Sequence, residues 1–183
     1  MRRLFFTALA LILFGCRVGI VQADSQGKPF VESKSPFIAI KDVNRQADNW
    51  AMCSATYTIL SRIMRGEKPA RAKQLKQLAN GAGVAVTMAV VLDGMEKDIS
   101  KERFSALWNT AKLMGSELPQ TKLVGLQAEL ESATGDRATV FSKDLNATFK
   151  VCLNNLKGQQ FYIESWRELA KSGLLTFPNN SSK

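Results

Sequence analysis

The sequence predicts an all-α, single-domain bundle of about six helices with one disulfide between the first and the fifth helix. Three observations support this fold class. Apolar residues recur at spacings of three and four along most of the chain, which is the period of an amphipathic helix. Glycines and prolines mark short connections between these periodic segments. Two cysteines lie on two such apolar stripes.

The first 23 residues have the layout of a secretory signal peptide. Arg2 and Arg3 provide a positive start, an apolar run follows over 4–14, and Val21-Gln22-Ala23 presents small or compact residues for cleavage. Cleavage after Ala23 leaves 160 of the 183 residues, the size of one ordinary domain. We therefore expect an exported, periplasmic protein.

Cys16 keeps a second processing route open. The stretch Leu13-Phe14-Gly15-Cys16 resembles a bacterial lipoprotein box, in which Cys16 becomes the lipidated first residue. Phe14 departs from that pattern, which prefers a small or β-branched residue. Lipidation of Cys16 leaves the protein tethered to a membrane, whereas cleavage after Ala23 leaves it soluble, and we favour the soluble form.

A lead-in and a strong first helix follow the signal. Residues 24–41 have mixed polarity and two prolines, so we expect a flexible or loosely docked lead-in, with its apolar residues 37, 38 and 40 against a helical domain over 42–175. The first helix is predicted from about Asn44 to Arg65, before Gly66. Its apolar stripe consists of Trp50, Cys53, Tyr57, Leu60 and Met64.

The second predicted helix, from about Ala70 towards Leu92, has two adjacent faces of small residues. One face holds Gly81, Ala85 and Ala89, and the other holds Ala79, Gly83 and Thr87. Such faces let neighbouring helix backbones approach closely. The alternative is a break near Gly81 followed by a β-strand through the β-branched residues.

Four further helices are predicted in the second half of the chain. Ser100 is a suitable N-cap for the third, which is expected to end before Pro119. The remaining three are predicted at about Thr121–Thr134, Ala138–Lys157 and Gln159–Ser172, with a disordered tail over 176–183.

Removal of the leader leaves Cys53 and Cys152 as a pair in an oxidising compartment. We expect them to form a disulfide, and two free buried thiols are the alternative. The chain contains no histidine, which excludes Ser-His-Asp and Cys-His catalysis and removes the commonest transition-metal ligand. No catalytic, cofactor-binding or metal site is predicted.

A basic segment over 62–76 carries most of the net positive charge of the mature chain. Its single acidic residue is Glu67, and its six basic residues are Arg62, Arg65, Lys68, Arg71, Lys73 and Lys76. One interpretation is a surface for an anionic partner: an acidic protein, lipid headgroups or envelope polysaccharide. The other is an ordinary solvated helix end. Nucleic acid is not expected, because aromatic residues are not interleaved with this run.

The remaining motifs favour ordinary structural roles. Ser25-Gln26-Gly27-Lys28 matches a Ser-x-x-Lys pattern without its companion motifs, and Gly81-Ala82-Gly83 lacks the rest of a dinucleotide fingerprint. The acidic residues Asp93, Glu96, Asp98 and Glu102 are interpreted as a polar loop, and Glu164 with Glu168 as charge pairing on a solvent face.

These observations favour a non-enzymatic exported protein that binds another macromolecule. The architecture is similar to that of small exported immunity or adaptor proteins of Gram-negative bacteria, without a shared diagnostic motif. The second hypothesis is a bundle that holds a small apolar or amphipathic ligand beside Trp50, Trp108 and Trp166. The third is a carboxylate-dependent hydrolase. We expect a protein or an anionic envelope component as partner.

Overall fold

The computed structural model describes residues 27–34 and 36–175, and within these it contains helices and no β-strand. The all-α class is therefore confirmed. A short 3-10 helix, Phe37–Ala39, precedes five α-helices. These are α1 (Val43–Met64), α2 (Pro69–Gly94), α3 (Lys101–Ser132), α4 (Gly135–Asn154) and α5 (Leu156–Lys171). The predicted signal peptide, Cys16 and the predicted tail lie outside the described residues.

The prediction of about six helices was wrong, because the third and fourth predicted helices form the single helix α3. Pro119 lies inside α3 and does not end it. Proline cannot donate the helical hydrogen bond to Gly115, four residues earlier, which disfavours a helix locally. Packing outweighs that cost, since Ala111 before the proline and Leu123 after it are both buried in the same core.

The boundary predicted at Gly158 was also wrong. The chain turns at Asn155, and Gly158 lies within the first turn of α5. A Cβ atom at Gly158 would lie 3.4 Å from the Trp50 ring, so this glycine allows close packing and does not mark a helix end. The side chain of Asn155 accepts a hydrogen bond from Phe37 N at 2.8 Å.

The predicted disulfide between Cys53 and Cys152 is confirmed, and it joins α1 to α4. The two Cα atoms are 5.6 Å apart and both residues are fully buried. Because α3 replaces two predicted helices, the bridge reaches the fourth helix and not the fifth. The cross-link holds together residues 99 positions apart in sequence.

Helix α1 supplies the centre of the core. Asp42 caps its start by accepting hydrogen bonds from the backbone amides of Asn44 and Arg45. Trp50 is fully buried and meets Phe37 and Tyr162 edge-on, at centroid distances of 4.9 and 6.1 Å. Such edge-to-face contacts add to the stabilisation from burial alone.

Helix α2 is continuous through its glycines, and its small faces are the sites of close helix approach. A Cβ atom on Gly81 would overlap the side chain of Gln159 in α5, and one on Gly115 of α3 would overlap Thr87. The backbone oxygen of Gly83 would lie 3.4 Å from that Cβ atom on Gly115. Helices α3 and α5 can therefore pack against α2 at short distance.

The described part of the lead-in, which the sequence predicts to be flexible or loosely docked, makes hydrogen bonds to the helices. The amide of Lys28 donates to Asp144 at 2.6 Å, and that of Phe30 donates to Thr148 Oγ1 at 2.8 Å. Phe37 is fully buried, whereas Ile38 is exposed. These bonds place the segment across α4, and the Phe37 carbonyl accepts a 2.7 Å hydrogen bond from Gln46 near the start of α1.

Candidate binding site

The basic segment (residues 62–76) forms the corner at which α1 ends and α2 begins. Its six cationic residues are all exposed, as is Glu67. Ala72 and Leu75 are buried and anchor the segment. Ser61 Oγ donates a hydrogen bond to the Ala72 carbonyl oxygen at 2.8 Å, which ties the two helices together below the turn.

The cationic side chains of this segment are largely available to a partner. Within the described residues, no carboxylate lies at ion-pair distance from Arg62, Arg65, Arg71, Lys73 or Lys76. The ion pairs that do occur lie elsewhere, for example between Arg103 and Glu96 and between Lys122 and Asp48. These five cations therefore give the segment positive charge that no neighbouring carboxylate among the described residues compensates.

A groove between α1, α2 and α3 opens beside this corner and consists of two adjoining clefts. The first cleft has a volume of about 380 Å³. Its lining includes Arg62, Arg65, Lys76, Asn80, Gln120 and Leu123. The second has a volume of about 390 Å³ and includes Gly83, Val84, Thr87, Gly115 and Lys112. Both share Ser54, Ala79, Asn80, Ser116 and Pro119, so we call them together the cationic groove.

The hydroxyl groups of the cationic groove already donate their protons within the protein. Ser54 Oγ donates to the Ala79 carbonyl at 2.9 Å, and Thr58 Oγ1 donates to the Ser54 carbonyl at 2.8 Å. Ser116 Oγ likewise donates to the Leu113 carbonyl. The donors left for a ligand are the cations and the exposed amides of Asn80 and Gln120. Among the described residues no carboxylate lines either cleft, so the groove favours an anionic ligand.

The acidic residues singled out from the sequence lie apart from this groove. Glu96 pairs with Arg103 on the surface, and the described residues bring no three potential ligands together for a metal ion. Glu164 accepts a hydrogen bond from Gln160, and Glu168 pairs with Lys171. Glu164 and Glu168 are both exposed, so this pair does not converge in a cleft.

The three tryptophans line neither of the two clefts. Trp50 is fully buried in the core, Trp108 stacks on Phe104 at 6.5 Å, and Trp166 packs against the core as a partly buried side chain. Gly81 and Gly83 lie in the middle of α2, where their backbone is helical. They therefore form no loop that could cradle a phosphate.

The cationic groove was not predicted from the sequence. A signal for it exists on α1, where Ser54, Thr58 and Ser61 follow one another at helical spacings of four and three, with Arg62 and Arg65 next along the helix. This polar stripe runs alongside the apolar stripe of α1. The contributions of α2 and α3 could not be read from sequence, because they depend on which helices become neighbours.

No protein-family model, curated protein or solved structure matches this chain. Helix α2 is long and apolar enough to span a membrane by length and composition, and half of its most apolar 18-residue window is buried inside the protein. A core helix with its small faces turned to α3 and α5 has this same composition.

Proposed function

We propose that this is an exported, non-enzymatic helical protein, adaptor- or immunity-like, that binds an acidic protein through the basic segment. The observation that carries the proposal is a group of exposed cations at the corner between α1 and α2, Arg62, Arg65, Arg71, Lys73 and Lys76, which have no carboxylate at ion-pair distance among the described residues. Uncompensated charge of one sign speeds the encounter with a partner of opposite charge and orients it.

The packing of the core supports a macromolecular partner over a small ligand held beside the tryptophans. Trp50 is fully buried and makes edge-on contacts with Phe37 and Tyr162, and its ring would lie 3.4 Å from a Cβ atom at Gly158. Glu164 and Glu168 are exposed, which gives a carboxylate-dependent hydrolase no support from this pair. The proposal that the protein is exported rests on the signal-like first 23 residues and on the disulfide, which is typical of oxidising compartments.

The binding proposal is tested by affinity capture from an envelope extract, followed by mass spectrometry. The bait is the mature protein, and the variant carries Arg71, Lys73 and Lys76 changed to Glu. A protein captured by the wild type is then purified, and its affinity for both baits is measured directly. We expect a partner with an acidic surface whose binding is lost in the variant and weakens with salt.

Three outcomes would contradict this proposal. Equal binding of the same partners to both baits would make the basic segment ordinary surface. Capture of lipid or polysaccharide alone would replace the acidic protein with an anionic envelope component. An intact mass of the exported protein that corresponds to a lipidated Cys16 would replace the soluble form with a tethered one; a mass starting at residue 24 supports the soluble form.

A further inference from the structure

The cationic groove is long and carries positive charge at both ends. Helix α2 lines it from Lys76 to Thr87, and at a rise of about 1.5 Å per residue this is a length of about 16 Å. Arg62 and Arg65 lie beside Lys76 at one end. Lys112 lies with Thr87 at the other end, outside the basic segment.

The groove between the two ends is lined mainly by small side chains, which include the hydroxyls of Ser54 and Ser116. Ala79 and Pro119 lie where the two clefts join, and Gly83 with Gly115 continue the floor towards Lys112. Neither Gly83 nor Gly115 adds a side chain to this part of the floor, and the Thr87 side chain occupies the space beside Gly115. The exposed amides of Asn80 and Gln120 can both donate and accept hydrogen bonds at its edge.

We propose that the cationic groove binds an acidic segment of the partner protein in an extended conformation, five or six residues long. An extended chain advances about 3.3 Å per residue, so about five residues cover the length of the groove. Carboxylates near the two ends of the segment pair with Arg62 and Arg65 and with Lys112. The amides of Asn80 and Gln120 bind the peptide backbone between them.

An extended peptide fits this site better than a flat acidic surface, because the donors lie on three helices around a concave floor. A bulky surface reaches the exposed side chains of Arg71 and Lys73 at the corner but does not enter the groove. This inference rests on the proposed function and deepens it, since it names the part of the partner that is recognised. It also brings in Lys112, which the basic segment does not include.

The first test measures length dependence with two fluorescein-labelled probes, hexaglutamate and diglutamate, at low salt. Hexaglutamate spans both ends of the groove. Diglutamate covers only one end, and we expect it at the more highly charged end beside Arg62 and Arg65. We expect Lys112→Gln to weaken hexaglutamate binding by about tenfold, the loss of one charge-assisted contact, and to leave diglutamate binding unchanged. Lys157→Gln removes the same charge from an exposed position on α5 and serves as the matched control.

The second test adds a negative charge inside or outside the groove without changing side-chain size. Gln120→Glu places a carboxylate in the groove, and Gln74→Glu places one on the exposed face of the basic segment outside it. We expect Gln120→Glu to weaken hexaglutamate binding at least fivefold more than Gln74→Glu. Circular dichroism of all variants checks that the helices are retained.

The outcomes separate this inference from the proposed function. Equal effects of Gln120→Glu and Gln74→Glu, with no selective effect of Lys112→Gln, would overturn the groove and leave the basic segment as the binding surface. Absence of hexaglutamate binding to the wild type, together with no acidic partner in the capture experiment, would overturn both. Equally tight binding of inorganic polyphosphate of similar length, with the same dependence on Lys112, would replace the peptide with an anionic polymer.

Discussion

At the scale of single residues, Gly115 shows how one position sets the distance between two helices. A side chain there would overlap Thr87, and the Gly83 carbonyl oxygen would lie 3.4 Å from its Cβ atom. At Gly125, ten residues further along α3, no described atom beyond its chain neighbours and its own helix backbone lies within 4 Å of the same position. The two glycines share a helix and differ in what surrounds them, so they form a matched pair.

We expect Gly115→Ala to lower the free energy of unfolding by about 1 to 2 kcal/mol, because overpacking strain exceeds the gain in helix propensity. Gly125→Ala should raise it by about 0.5 to 1 kcal/mol, because an exposed helix interior favours alanine. Urea unfolding of both variants measures these changes. A stabilised Gly115→Ala protein would contradict the close contact between α2 and α3.

Tyr162 is a buried residue whose packing changes the pKa of its side chain. Its hydroxyl donates a 2.7 Å hydrogen bond to Gln46, whose amide donates to the Phe37 carbonyl. Burial, followed by the nearby charge of Asp93, raises the pKa of Tyr162 from 10.0 to about 12. Burial also raises the pKa of Tyr57.

We expect stability to fall as pH rises from about 10 to about 12. In this range the unfolded state loses the tyrosine proton while the folded state keeps it, so deprotonation favours unfolding. Below pH 10 this contribution is constant. Tyr162→Phe should reduce the slope of unfolding free energy against pH in this window, measured by urea unfolding at several pH values. An unchanged slope would show that Tyr162 does not contribute.

At the scale of elements, the described lead-in is bound to α4 through particular hydrogen bonds. Thr148 is fully buried; its hydroxyl accepts from the Phe30 amide and donates to the Asp144 carbonyl at 2.8 Å. Thr58, in α1, donates only along its own helix, to Ser54. The two threonines therefore have similar local roles, but Thr148 alone accepts a bond from another segment.

We expect Thr148→Val to destabilise the protein by about 1 to 2 kcal/mol, because the Phe30 amide loses its partner in a partly buried position. Amide hydrogen exchange at Phe30 should become faster. Thr58→Val, the control, should leave exchange at Phe30 unchanged. Equal exchange in the wild type and Thr148→Val would mean that the lead-in is not held by this bond.

At the scale of the whole molecule, the disulfide is the longest-range covalent constraint in the described chain. Residues Cys53 and Cys152 belong to α1 and α4 and are separated by 99 positions. A cross-link of this span restricts the unfolded chain strongly. It also holds the core against which the lead-in and α2 pack.

We expect replacement of both cysteines by alanine to lower the free energy of unfolding by about 3 to 5 kcal/mol, mainly through the larger entropy of the unfolded chain. Urea unfolding of the mature protein with and without reductant measures the same effect in the wild type. Thiol titration of the denatured, unreduced protein should find no free thiol. Two free thiols would contradict the disulfide.

Much of the fold was predictable because helical periodicity is a local property of the chain. The apolar stripe of α1 is buried from Trp50 through Leu60, as its spacing indicates, and Ser100 caps α3 by accepting from the Arg103 amide. The errors lie where packing outweighs local preference. Pro119 lies within α3, where the sequence predicted a helix end. Gly158 lies within α5 beside the Trp50 ring, where the sequence predicted the boundary between two helices.

The sequence by itself determined the all-α class, the disulfide pair and the basic segment, because each depends on residue type and on spacing along one stretch of chain. Only the tertiary structure decided that α3 is one helix and that the lead-in is bound to α4. It alone also placed Lys112 in a cleft that adjoins the cleft lined by Arg62 and Arg65. A groove of this kind forms between adjacent helices, and the packing of the whole chain determines which helices are adjacent.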